Sequence, residues 1–216
     1  KEGWEIKNIR YPFALGILLG SLSFFHGSAV IGSLLVLFVT AILSKRRLEF
    51  LITAVITVLL STVQTGYFIE GPAVSPKLLF GFIAERRTFF GVISYLDRLL
   101  GILPVVLFAA FLIAGWAKKY IMIAFLAPFV FAFSVSLTVD VTVNHKYIMM
   151  SCILMGIFAA FLITRMFDRK EIVWSIAAGL LVFMLTATGI YDFITVLRKN
   201  STEGKIILNM DDPLTE

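Results

Sequence analysis

Ile172–Tyr191 reads IVWSIAAGLLVFMLTATGIY, 20 residues without an Asp, Glu, Lys, Arg or His. A hydrocarbon core about 30 Å thick needs roughly 20 helical residues at about 1.5 Å each. Only a segment that bonds all its own backbone groups is tolerated there. The stretch therefore predicts a membrane-spanning helix. Working back along the chain, the same reading applies to Tyr147–Thr164, Tyr120–Val139, Leu99–Ala117 and Phe50–Ile69, all free of charged side chains. Tyr11–Ser44 is also uncharged but runs for 34 residues, too long for one ordinary span. His26-Gly27-Ser28 is a turn-like break within it, which predicts two short helices in a hairpin; a single tilted helix preceded by an in-plane segment is the alternative. The expected fold class is all-α, a polytopic transmembrane helical bundle of six or seven spans.

Composition agrees. Of 216 residues, 59% are hydrophobic and 15% charged, with a mean hydropathy of +0.95. A soluble domain carries about 25% charged residues. The net charge of +5 does not point to nucleic acid, because the basic residues sit at the ends of apolar stretches, where they orient helices in a membrane. Cys152 is the single cysteine and lies inside an apolar run, so neither a disulfide framework nor a metal cluster is expected. The first ten residues carry charges of both signs, and no small-residue cleavage site follows them, so no signal peptide is read.

Strict alternation of spans places Lys45–Arg47, Lys118-Lys119 and Arg165–Lys170 on one side, and all three turns are basic. The positive-inside rule makes that side cytoplasmic, which puts the C-terminus outside. The outer face would then hold Glu70–Arg98, a short loop at Asp140–Lys146 and the tail from Asp192. In the first of these, Val92, Ile93, Leu96, Leu99 and Leu100 recur at helical spacing, opposite Ser94, Asp97 and Arg98. That pattern predicts an extracytoplasmic helix lying in the membrane interface. Leu78–Ile83 is a candidate for a second. Residues 1–199 read as the bundle and 200–216 as the start of an outer C-terminal region.

No phosphate loop, HExxH, nucleophile elbow or Cys/His pair is present. Gln64, with Ser61, Thr62 and Thr65, is the most polar patch within a span and suits hydrogen bonding between helices. Gly16 and Gly20 form a GxxxG, a spacing used in close helix packing but also common by chance. The densest polar cluster is the loop containing Asp140, Asn144, His145 and Lys146. Asp and His together offer acid/base chemistry, while His and Lys suit an anionic phosphate. The competing reading is a polar turn with Asn144 as helix N-cap and Lys146 snorkelling. Arg86 and Arg87 are a second anion-binding candidate, against ordinary headgroup contact. No cofactor is identified.

Three passages carry a resemblance. Leu137–Ser151 (LTVDVTVNHKYIMMS) resembles the loop and helix start of bacterial GT-C-type membrane glycosyltransferases. Ser44–Ile52 (SKRRLEFLI) is similar to one of their basic cytoplasmic turns. Thr188–Asp192 followed by Asn209–Pro213 resembles the exit from their last span. The resemblance implies an enzyme of the bacterial cell envelope that takes a sugar from a polyprenyl-phosphate carrier to an acceptor at the outer face. It also implies a catalytic Asp-Asp or Asp-Glu pair in a first outer loop. No such loop is found in this chain, so the carboxylate is expected outside it. The partners implied are membrane lipid and a polyprenyl-phosphate-linked sugar. A lipid or solute transporter and a non-catalytic scaffold subunit are the alternative readings.

Overall fold

The computed structural model describes residues 4–68, 76–81, 83–137 and 142–202, with side chains to 67 in the first stretch and to 198 in the last. The chain divides into two compact units, residues 1–162 and 163–216.

The first unit begins with α1 (Arg10–Ser21), a 3-10 turn at Leu22–Phe24, α2 (Gly27–Leu43) and α3 (Arg47–Phe68). The uncharged run therefore does divide at His26, whose backbone is extended (φ −161°). The partners of α1 advance in step along α3. Lys7 N–H donates to Glu49 Oε1 (2.9 Å), Thr53 Oγ1 to the Pro12 carbonyl (3.3 Å), Thr57 Oγ1 to the Gly16 carbonyl (3.3 Å), and Ser23 Oγ to Gln64 Oε1. The two helices thus run parallel, and α2 returns between their ends. The GxxxG makes the approach possible. A Cβ at Gly16 would lie 2.7 Å from Ile56 Cβ, and one at Gly20 would lie 2.8 Å from Leu60 Cβ. Gln64 bonds between helices, as its position in a span suggested.

The chain continues with β1 (Lys77–Leu78), α4 (Phe89–Leu100), α5 (Leu103–Ile113), α6 (Trp116–Phe125), α7 (Ala127–Ser134), β2 (Val135–Ser136) and α8 (Thr142–Phe167). Among the described residues, four helices are long and apolar enough to cross a bilayer: α3, α6 continued through α7, α8, and α9 (Ile172–Thr202). Leu99–Ala117 is not one straight span. Helix α5 has 11 residues, about 16 Å, and joins α4 across an 88° bend. Gly101 makes the corner at φ +51°, a backbone region that penalises a side chain, and Pro104 opens the next helix. Counting charges alone passes over such a break.

Among the described residues of Leu78–Ile83, the expected second interfacial helix is also absent. Lys77 and Leu78 pair antiparallel with Ser136 and Val135, and the two N–H groups at Leu79 and Gly81 reach the carbonyls of Ser134 (2.9 Å) and Phe133 (2.8 Å). The reason lies at the end of α7. A helix terminus leaves four carbonyls without intrahelical donors. Those of Phe131, Ala132, Phe133 and Ser134 are taken by Val135 N–H, Asn144 Nδ2, Gly81 N–H and Leu79 N–H respectively. The segment is extended because it caps α7.

Above this cap, Ile83, Ala84, Val92, Ala132, Phe133, Tyr147 and Ile148 form a buried core, joined by Tyr95 and Leu96. Helix α4 lays the face bearing Val92 and Leu96 on this core and exposes Ser94, Asp97 and Arg98, as its periodicity predicted. At the basic turn before α6, Lys118 Nζ lies 3.8 Å over the Phe161 ring and Lys119 Nζ 5.1 Å over that of Phe111. In the second unit, α9 follows a turn in which Lys170 is left-handed (φ 57°) and Arg169 sits 4.6 Å over Trp174.

Candidate functional site

Helix α4 separates two cavities. Its positions 93, 96, 97 and 100 line a largely apolar cavity of about 570 Å³, completed by Phe108 and Phe111 of α5, Met122 of α6, Phe129 of α7, and Cys152 and Met155 of α8, with Asp97 and Ser151 as polar lining. Its positions 90, 91, 94, 95 and 98 line a cavity of about 340 Å³ with Glu85, Arg86 and Thr88. Two arginines and one glutamate leave this second cavity a formal charge of +1. Helix α4 thus has a mostly apolar cavity on one side, with Asp97 in its lining, and the guanidinium groups of Arg98 and of Arg86, just before the helix, on the other.

The polar cavity is built by close backbone contact. Thr88 caps α4, its Oγ1 accepting from Gly91 N–H (3.2 Å). The chain then folds so tightly that a Cβ on Gly91 would stand 2.1 Å from the Arg86 carbonyl oxygen. Only glycine admits this approach, and it sets Arg86 beside the first turn of α4. Arg98 comes from the same helix two turns on.

Tyr95 links the cavity to α8. Its Oη lies 2.9 Å from His145 Nε2, and the two rings stack with centroids 6.5 Å apart and 24° between planes. The Tyr95 ring also meets Phe133 edge-on at 6.0 Å. Burial pushes the Tyr95 phenol above its ordinary range.

The residues singled out in the sequence therefore part company. Arg86 lines the polar cavity and His145 reaches it through Tyr95. Arg87 is exposed and does not line it, and Lys146 is exposed and lines neither cavity. Asn144 is fully buried inside the first turn of α8, not at its N-cap. Its Nδ2 donates to the Ala132 (2.9 Å) and Val135 (2.6 Å) carbonyls, so it is a structural tie. Asp140 lies outside the described residues. Arg98 and Tyr95 were not singled out, although the polar stripe of α4 contained the signal for Arg98. Among the described residues, no group of His, Cys, Asp and Glu is placed to hold a metal ion. Set against known protein families, characterised proteins and solved structures, the chain matches none.

Proposed function

We propose that this chain is part of a membrane glycosyltransferase of the GT-C type and binds the polyprenyl-phosphate-linked sugar. One observation supports the reading above others: α4 has a cavity lined by Arg86 and Arg98 on one face and, on the other, a largely apolar 570 Å³ cavity with Asp97 at its lining. An isoprenoid carrier is an amphiphile with that same division. Its phosphate would meet Arg86 and Arg98, and its first isoprene units would enter the apolar side. In the transfer, an acceptor hydroxyl gives its proton to the catalytic carboxylate and forms a new bond to the anomeric carbon while the bond from that carbon to the phosphate oxygen breaks. The leaving phosphate keeps the electron pair, and nearby guanidinium groups stabilise the charge that develops on it. The catalytic carboxylate is not assigned to these residues.

Cys152, the chain's single cysteine, lines the apolar cavity and so reports on its occupant. In the purified protein, polyprenyl phosphate should protect Cys152 from a lipophilic maleimide, whereas free inorganic phosphate should not. Arg86→Gln and Arg98→Gln should each weaken that protection about tenfold, the loss of one charge-assisted hydrogen bond. Unchanged labelling at saturating lipid would defeat the reading.

The same proposal fixes sidedness, with Lys45–Arg47, Lys118-Lys119 and Arg165–Lys170 cytoplasmic and the spans numbering six or seven. In a Cys152→Ala background, single cysteines at Ser44 and Phe167 should label from the same side of sealed vesicles. Labelling from opposite sides would overturn this topology.

A further inference from the structure

A third cavity, of about 480 Å³, lies between α2 and α3, away from α4. Phe38 and Ala41 of α2 face Leu51 and Ala54 of α3 across it, and Trp4 closes one side. Its one charged lining residue is Arg47, at the turn between the helices. From Arg47 to Ala54 the groove follows α3 for about 10 Å.

Trp4 owes its place to Glu49. That carboxylate accepts the N–H groups of Lys7 (2.9 Å) and Asn8 (3.2 Å) and pairs with Arg46 Nε (3.2 Å), which pins the N-terminal segment against α3. Glu49 is thus engaged by Arg46 and the backbone. Lys45, Arg46 and Arg47 against Glu49 leave the turn a formal charge of +2. The Arg47 guanidinium makes a bond at the edge of hydrogen-bonding range, 3.5 Å to the Ile42 carbonyl, and has five donors in all.

We infer that this groove binds one anionic glycerophospholipid, with an acyl chain between α2 and α3 and its phosphate on Arg47. Charge complementarity selects this occupant. A neutral helix of a second copy would leave the guanidinium without an anion, whereas a phospholipid supplies a chain for the apolar groove and an anion for Arg47. Tryptophan at the mouth is the side chain suited to headgroup depth. None of these residues lines the cavities beside α4, so the inference stands or falls apart from the proposed function.

The test is native mass spectrometry of the purified chain in detergent with equal amounts of phosphatidylglycerol and phosphatidylcholine of matched acyl chains. The expected result is one retained phosphatidylglycerol, favoured about fivefold. Arg47→Gln should erase that preference with unchanged circular dichroism, and Ala54→Phe should reduce retention of both lipids. Equal retention by the unaltered chain would overturn the inference, as would a preference that survives Arg47→Gln. A concentration-dependent dimer abolished by Ala54→Phe would assign the groove to a second copy and overturn it too.

Discussion

Asn144→Leu should cost about 2–4 kcal/mol of stability, a larger penalty than any other single substitution in the first turn of α8. The side chain is fully buried, and its amide donates to two carbonyls, those of Ala132 and Val135. Leucine has nearly the same shape but no donor. Each carbonyl left unpaired in a buried setting costs about 1–3 kcal/mol. The loss falls where α7 ends and β2 begins, so the strand pairing of Lys77 and Leu78 with Val135 and Ser136 should loosen with it. Thermal unfolding in detergent should show the lowered midpoint, and hydrogen exchange should quicken at Leu79 and Gly81, whose N–H groups bond α7 carbonyls. Lys146→Gln, two residues on and exposed, should leave both readouts unchanged. An Asn144→Leu protein as stable as the parent would show that the amide is not the tie described.

Gly16→Val should be nearly as damaging, at about 2–3 kcal/mol, by overpacking rather than by loss of a bond. A Cβ there would sit 2.7 Å from Ile56 Cβ, 2.9 Å from Ile56 Cγ2 and 3.1 Å from the Thr53 carbonyl oxygen. The isoleucine contacts are to the stiff part of a branched side chain, and the third is backbone, so neither can swing aside. Relief requires α1 and α3 to part, which also lengthens the Thr57 bond to the Gly16 carbonyl. The matched control is Gly179→Val in α9, where a Cβ meets nothing within 4 Å. Unfolding by sodium dodecyl sulfate should occur earlier for the first variant and near the parental point for the second. Equal behaviour of the two would remove the packing argument.

Much of the helical plan was legible in the sequence because lipid imposes a simple rule, length without charge. Helices α3, α8 and α9 each contain most of the charge-free run that predicted them. The rule fails where conformation, not polarity, ends a helix. Gly101 and Pro104 carry no charge, so Leu99–Ala117 read as one span although the chain turns 88° within it. Leu78–Ile83 was misread for a related reason. Its apolar character suits a helix as well as a strand, and only the free carbonyls at the end of α7 decide between them.

The site was legible by residue type but not by role. Arg86 and His145 have side chains suited to an anion, and both are found at or next to the polar cavity. Asn144 was grouped with them by adjacency, yet one residue of helical rotation turns it inward, away from its neighbour. The part played by Tyr95 could not be read from periodicity, which shows that a helix has two faces but not which residue on another helix, 50 positions away, meets one of them.

The constant offset between α1 and α3 has a consequence for how the protein is made. Each bonded pair that joins them is 41 or 42 residues apart. At a synthesis rate of about 5–20 residues per second, α1 leaves the ribosome roughly two to eight seconds before its partner exists. During that interval it is a helix of 12 residues, about 18 Å long, too short for a hydrocarbon layer of about 30 Å. Its glycines leave a groove with nothing to fill it, and Ser23, in the 3-10 turn that follows α1, waits for Gln64. Helices α1, α2 and α3 are therefore expected to insert as one unit, with α1 translated before α3 but seated only together with it.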